Sequence, residues 1–500
     1  MELTQETLRQ IIELAVTSGR KKQSSQTGFI HFCYHAQAPE ERDAIPILEN
    51  FMFALALLRT RTSENVLEAR ALLDKLLHFQ PRQGDTLLGN FPIYIHDYPN
   101  CKDRYVAVHL LPVIYWILKS FQLVLGSELR QKLETSAQAL LTEVLEFPQK
   151  HKVPLYIAIK IAASAQAFGE LLHQSALKTQ GTQLLAAFRD TLENGDDDCW
   201  YSPSLLADIL IGLQMAYPSI ANSPWASFWE LLSQTWHRKL CCYVGPAVNE
   251  FESGHEPQAT LYDLFMGYFN GGQFSALALK PNLFQLHGAL IQPCEDSLQE
   301  ITYPLKRDGN IDGQSWHMVH EEERAYSVVQ QKGPFNMASG RGFHPLRIVW
   351  GDAKRVHTFV CQGGNATEID FAILQDHITL SFAMTEAVQL EDREKSRDII
   401  FFVDEHEGIS CSVGGSPSNT FHLDDEIKLK CQGAAFGLKF SLAEGHNASY
   451  FGHFMRGNRP SQINLKGDNR FKAFDWQLFL RAVRREPSCR VKVDINLLKE

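Results

Sequence analysis

The hydrophobic period of this 500-residue chain switches near residue 300. Upstream, apolar residues recur at helical spacing, as in Phe51-Met-Phe-Ala-Leu-Ala-Leu-Leu58 and Leu205-Leu-Ala-Asp-Ile-Leu-Ile-Gly-Leu213. Downstream, short segments alternate apolar and polar residues, as in Glu368-Ile-Asp-Phe-Ala-Ile-Leu374 and Ile427-Lys-Leu-Lys-Cys431. A helix needs period 3.6 to bury one stripe, and a half-buried strand needs period 2. The chain is therefore expected to be an α+β multidomain protein, with an all-α domain over 1–272 and an antiparallel β domain over 273–500.

The upstream pattern predicts helices at about 3–17, 43–58, 64–78, 103–125, 127–146, 153–174, 179–192, 202–216, 224–240 and 257–269. Ser127 and Ser63 supply capping hydroxyls, and Pro154 and Pro203 stand where a first-turn proline is tolerated. Helices in consecutive pairs suit an α-solenoid or a closed α/α toroid. A solenoid carries a repeating sequence period, and no self-similar repeat is present. The expectation is an incomplete barrel of helix pairs, an α/α toroid, with aromatic loops gathered at one end. Downstream, Asp308-Gly, Asp312-Gly, Gly363-Gly and Gly414-Gly are turn signals between many short strands, the first predicted at 283–292. Strands without helix-length gaps imply an antiparallel β-sandwich. The run 471–484 reads as strand or helix.

Hydrophobic residues make up 44% and charged residues 21%, so the chain can bury ordinary globular cores. A net charge of −10 without a basic domain argues against nucleic acid as a partner. A few Arg in a cleft still suffice to hold an anionic glycan. The N-terminus lacks a secretory pattern, and no unbroken apolar run approaches the ~18–20 residues a membrane span needs. The ten Cys are scattered with no CxxC pair, which suits reduced, buried residues. The expectation is a soluble, cytoplasmic protein with no membrane partner; a processed secreted form reads the same way. Oligomeric state is not legible in the sequence.

Chemistry-bearing residues concentrate in loops. Residues 90–105 hold Asn90, Tyr94, His96, Asp97, Tyr98, Asn100, Arg104 and Tyr105. The same loop also reads as an aromatic rim with a structural His–Asp pair. Residues 250–262 hold Glu250, Glu252, His255, Glu256 and Tyr262, which equally suit a helix N-terminus with Tyr262 in the core. Asp196-Asp-Asp198 reads as a solvated turn, and His317 and His320 face opposite sides of a strand, so no metal site is expected. In Gly340-Arg-Gly-Phe-His344, flanking glycines let the backbone of Arg341 approach a ligand, or simply make a tight turn. Phosphate-binding, nucleophile-elbow and zinc-protease motifs are absent from the sequence, and no cofactor is expected.

Two stretches carry a family resemblance: Trp200-Tyr-Ser-Pro-Ser-Leu-Leu-Ala-Asp-Ile-Leu and Gly254-His-Glu-Pro-Gln-Ala-Thr-Leu-Tyr-Asp-Leu-Phe. With the order of domains, they resemble the heparinase II/III-like and chondroitin–alginate type polysaccharide lyases, although Leu205 stands where that family has an aromatic residue. The resemblance implies a polysaccharide or oligosaccharide partner and cleavage of a uronate-containing glycan by β-elimination. Such lyases neutralise the uronate carboxylate, abstract the proton alpha to it, and protonate the leaving oxygen. On that pattern His96, Tyr98, His255 and Tyr262 are the candidate catalytic residues. Asn90 would neutralise the carboxylate, and Arg104, Trp200, Tyr201, Arg341 and His344 would bind substrate. The alternatives are a glycoside hydrolase using two carboxylates such as Glu252 and Asp97, and a catalytically inactive glycan- or protein-binding member.

Overall fold

The computed structural model describes residues 2–33, 43–81, 89–150, 152–193, 198–246, 259–311, 313–332, 344–362, 365–389, 397–404, 408–445, 447–460 and 474–498. The chain forms two compact units, Met1–Gln234 with Ala259–Glu300 and Thr235–Gln258 with Ile301–Glu500.

The first unit is helical, with α1 (Glu2–Arg20), α2 (Ile47–Arg59), α3 (Ser63–Leu76), α4 (Tyr105–Leu125), α5 (Ser127–Lys150), α6 (Leu155–Leu171), α7 (Ser175–Glu193), α8 (Pro203–Ala216), α9 (Ala226–Ser233) and α10 (Leu261–Phe269). Its packing explains the toroid. Helices α2, α4 and α6 each pair with the next helix in sequence, α3, α5 and α7. The even-numbered members also pack on one another in the order α2, α4, α6, α8, α10. The 3₁₀ segment Leu283–Leu290 packs on both α10 and α2, and so closes that inner circuit. The inner helices are apolar on most sides because neighbours cover most of each one: α2 buries every residue from Phe51 to Leu58, and α6 every residue from Ile157 to Gly169.

The predicted strand at 283–292 is thus helical. Asn282 caps it, accepting from Leu283 N at 2.7 Å, and the Gln285 amide donates to Ala278 O at 2.8 Å. An apolar run of this length does not distinguish a strand from a buried helical turn. Helix α4, at 21 residues, is long and apolar enough to cross a bilayer, a property hidden in the sequence by His109, Pro112 and Lys119. More than half of the helix is buried, so its apolarity serves the helical core.

The second unit is an antiparallel β-sandwich of two large sheets. In one, strand Cys489–Leu498 lies between Ala434–Glu444 and His377–Met384, with Val491 opposite Phe382, Val493 opposite Leu380 and Ile495 opposite Ile378. These residues are buried and their neighbours in sequence are not, as period 2 requires. The other sheet runs through Phe474–Arg485, Arg397–Val403, Arg355–Cys361, Leu346–Asp352, Arg324–Val329, Gln314–His320 and Leu305–Ile311. The ambiguous run near 471–484 is therefore a strand from Phe474. Phe359 of this sheet stacks on Phe436 of the other at 4.9 Å, inside one shared core. Gly414-Gly415, both at positive φ, form a two-residue hairpin turn as expected. Asp308-Gly309 is not a turn. Gly309 lies within a strand, where the Trp316 ring would be 2.3 Å from a Cβ.

The helix expected over 224–240 stops at Ser233. The chain then forms a small hairpin, Trp236–His237 with Cys242–Tyr243, and Leu240 and Val244 pack with Ala325 and Val349 of the β unit. None of the ten cysteines forms a disulfide.

Candidate functional site

The loop before α4 keeps its candidate residues close in sequence but gives them different tasks. Asn90 is fully buried; its side chain donates to Asp103 O at 2.7 Å and accepts from Phe91 N at 2.8 Å. That spends the amide on holding the loop. His96 and Tyr98 are exposed, with His96 stacked on Tyr94 at 5.5 Å and Tyr98 edge-on to Phe79 at 5.9 Å. Arg104 stands at the N-cap of α4 with its guanidinium over Phe147. Trp200 and Tyr201 are buried, the Trp200 indole donating to Leu192 O at 2.8 Å beside Phe228. Tyr262 is fully buried in the first turn of α10, which Thr260 and Asp263 close as a capping box. In the β unit, His344 is buried just before strand Leu346–Asp352. His255 and Arg341, with Glu250, Glu252, Asp196 and Asp197, lie outside the described residues.

The inner circuit of the helical unit carries a cluster that motif reading missed. Five of its elements each contribute one ionisable side chain: Glu49 from α2, His109 from α4, Lys160 from α6, Asp208 from α8 and His287 from the 3₁₀ segment. The Lys160 ammonium lies 2.7 Å from His109 Nδ1 and 2.8 Å from Asp208 Oδ1. His287 Nε2 lies 3.7 Å from Glu49 Oε1. Lys160 and Glu49 are closed off, yet the side chains of His109, Asp208 and His287 keep 28%, 22% and 27% of their surface open. The cluster therefore borders a recess rather than a sealed core.

Its electrostatics follow from burial and from Lys160. Desolvation, with the fields of Lys160 and His287, pushes the His109 imidazole down to about 4, so it is neutral near pH 7. Burial alone would raise the Asp208 carboxyl, but Lys160 and the two histidines outweigh it and hold Asp208 below its ordinary value. An ammonium has donors only, so His109 Nδ1 must accept. A neutral imidazole with Nδ1 accepting carries its proton on Nε2. His109 is thus a fixed hydrogen-bond donor toward whatever faces Nε2.

A signal for this cluster was present in the sequence. Each residue is an isolated ionisable group inside an apolar stretch, as in Leu155-Tyr-Ile-Ala-Ile-Lys-Ile-Ala-Ala163. Such residues are costly to bury alone, so their partners must come from other helices.

The fold resembles those of solved polysaccharide lyases. The chondroitin AC lyase of Streptomyces coelicolor A3, in complex with chondroitin sulphate, is 10% identical; the alignment covers 98% of this chain and 79% of that one, with a TM-score of 0.50. Heparinase III, also 10% identical, aligns over 99% of this chain and 85% of its own at a TM-score of 0.47. A heparan sulfate lyase mutant from Pedobacter heparinus aligns over 99% and 83%, with 10% identity and a TM-score of 0.38. No protein-family model matches the sequence, and no curated protein matches it. The chain has the fold of the chondroitin AC lyase, an α/α toroid followed by an antiparallel β-sandwich.

Proposed function

We propose that this protein acts on a polysaccharide, cleaving a uronate-containing glycan by β-elimination. The observation that carries the reading is the helical ring followed in sequence by an antiparallel β-sandwich, a fold shared with a chondroitin lyase, with His96 and Tyr98 exposed in the loop before α4. In the reaction a base takes the proton alpha to the uronate carboxylate. The glycosidic C–O bond then breaks, a C=C bond forms, and the leaving oxygen takes a proton. Exposed His96 and Tyr98, together with His255, remain the candidates for proton transfer.

A second reading, a glycan-binding protein without catalysis, is favoured by the structural tasks of Asn90, Trp200 and Tyr262. The test incubates the full chain with alginate, chondroitin, heparan and pectin. Ultraviolet absorbance from an unsaturated product, lost in His255→Ala, is expected. New reducing ends without that absorbance would mean hydrolysis. Retention of a glycan with neither signal would leave binding alone.

A further inference from the structure

The recess bordered by His109 and Asp208 has a chemistry of its own. Lys160 is surrounded by protein and is committed to both of them, so its charge is answered within the cluster. Glu49 adds a carboxylate that is 1% exposed, and its Oε2 has no hydrogen-bond partner among the described residues. Counting Lys160 against Asp208 and Glu49, the cluster has one cation and two anions. A protonated His287 would only bring the sum to zero. Nothing there attracts a carboxylate or sulfate, and placing one beside Asp208 and Glu49 in a poorly solvated space is unfavourable. The recess instead offers a fixed donor at His109 Nε2 and one carboxylate acceptor, Asp208, near it. Adjacent hydroxyls on a sugar ring present the complement: each can accept from an N–H and donate to a carboxylate.

We propose that this recess is a subsite for the neutral sugar hydroxyls of a glycan, with His109 as donor, Asp208 as acceptor and Lys160 as the residue that positions both. The proposal rests on the carbohydrate reading above and assigns the uronate carboxylate to another place. Lys160 acts through its neighbours. It holds His109 neutral with the proton on Nε2 and turns Asp208 so that one oxygen remains for ligand.

The test is a titration of the full chain, labelled with ¹⁵N-histidine, by neutral oligosaccharides of glucose, mannose, galactose and N-acetylhexosamine, and by oligogalacturonate of equal length. His109→Gln assigns the His109 signals. The free protein should show a neutral His109 with the proton on Nε2. At least one neutral sugar should shift that signal, with at least tenfold weaker binding in Asp208→Asn, while oligogalacturonate leaves it in place. The wild-type titration stands even where the variant does not fold. A proton on Nδ1, a His109 signal moved by oligogalacturonate, or no response to any neutral sugar would each overturn the subsite. Cleavage or binding of a uronic glycan with His109 unmoved by all sugars would reject the subsite and keep the carbohydrate reading. No binding of any glycan anywhere would reject both.

Discussion

Arg485 Nε lies 2.9 Å from Asp398 Oδ2, and both side chains are withdrawn from solvent inside the β unit. Asp398 falls at the register shift between Arg397 and Ile399, where the strand cannot keep simple alternation. The guanidinium also donates from Nη2 to Oδ1 at 3.1 Å and from Nη1 to the carbonyl of Glu386. Removing one partner strands the other charge. Asp398→Ala should cost ~3–5 kcal/mol in urea unfolding of the β unit. An Asp398→Leu/Arg485→Met double variant should recover most of it, because no charge is then left buried. Equal losses in both variants would show that packing, not charge, governs the site.

Helices α6 and α7 meet through glycine. A Cβ on Gly181 would stand 2.3 Å from Gln166 N and 2.6 Å from Ala162 O, contacts to backbone that cannot swing aside. Gly181→Ala should force the pair apart and cost ~1–3 kcal/mol, despite the better helix propensity of alanine. A thermal scan giving an unchanged or higher midpoint would contradict that packing.

Asn90 is expected to behave as a structural residue. Asn90→Ala removes one bond to Asp103 O and one from Phe91 N in a buried setting, a loss of ~1–3 kcal/mol. Exposed Tyr98, in contrast, should tolerate Tyr98→Phe with no measurable change in melting temperature. If Tyr98→Phe nevertheless abolishes turnover, its hydroxyl belongs to the reaction.

Two histidines contribute a pH dependence of stability with a definite sign. Burial pushes His320 down to about 3 and, with Lys160 and His287, His109 down to about 4. Below the unfolded value of about 6.5 the unfolded imidazole binds a proton that the native one refuses. Stability from these groups is therefore full above pH 6.5. It falls as the solution is acidified toward 4 for His109 and toward 3 for His320, by up to ~1.4 kcal/mol per group per pH unit. His320 is fully buried, neither ring nitrogen has a hydrogen-bond partner among the described residues, and it faces His237 and Arg307. His320→Leu should flatten the acid limb. Parallel wild-type and variant curves between pH 6.5 and 4 would rule this out.

Lys160→Met should leave the partly open Asp208 without its cation and cost ~1–3 kcal/mol. It should also raise the His109 value above about 4, since both the field and the bond of the ammonium are gone. Histidine NMR against pH reads that shift directly, and an unmoved titration would remove Lys160 from its positioning role.

Local sequence determined the two kinds of secondary structure, because hydrophobic period reflects which face of each element is buried. The alternation in Glu426–Cys431 and the apolar run of α2 needed no partner to be recognised. Hairpin turns such as Gly414-Gly415 were equally local, since only their φ values mattered. Where period was silent, packing decided. Leu283–Leu290 is helical because it closes the inner circuit between α10 and α2, and residues after Ser233 leave the helix because Leu240 and Val244 find a second core. The candidate site divides in the same way. Loop residues rich in Asn, His and Tyr stand out in sequence, yet only tertiary structure reveals that Asn90 and Tyr262 are buried while His96 and Tyr98 are exposed. The cluster of Glu49, His109, Lys160, Asp208 and His287 spans more than two hundred residues of chain. Each looks like an isolated defect in an apolar stretch until closure of the ring places it beside the others, where mutual charge and hydrogen bonding make its burial tolerable.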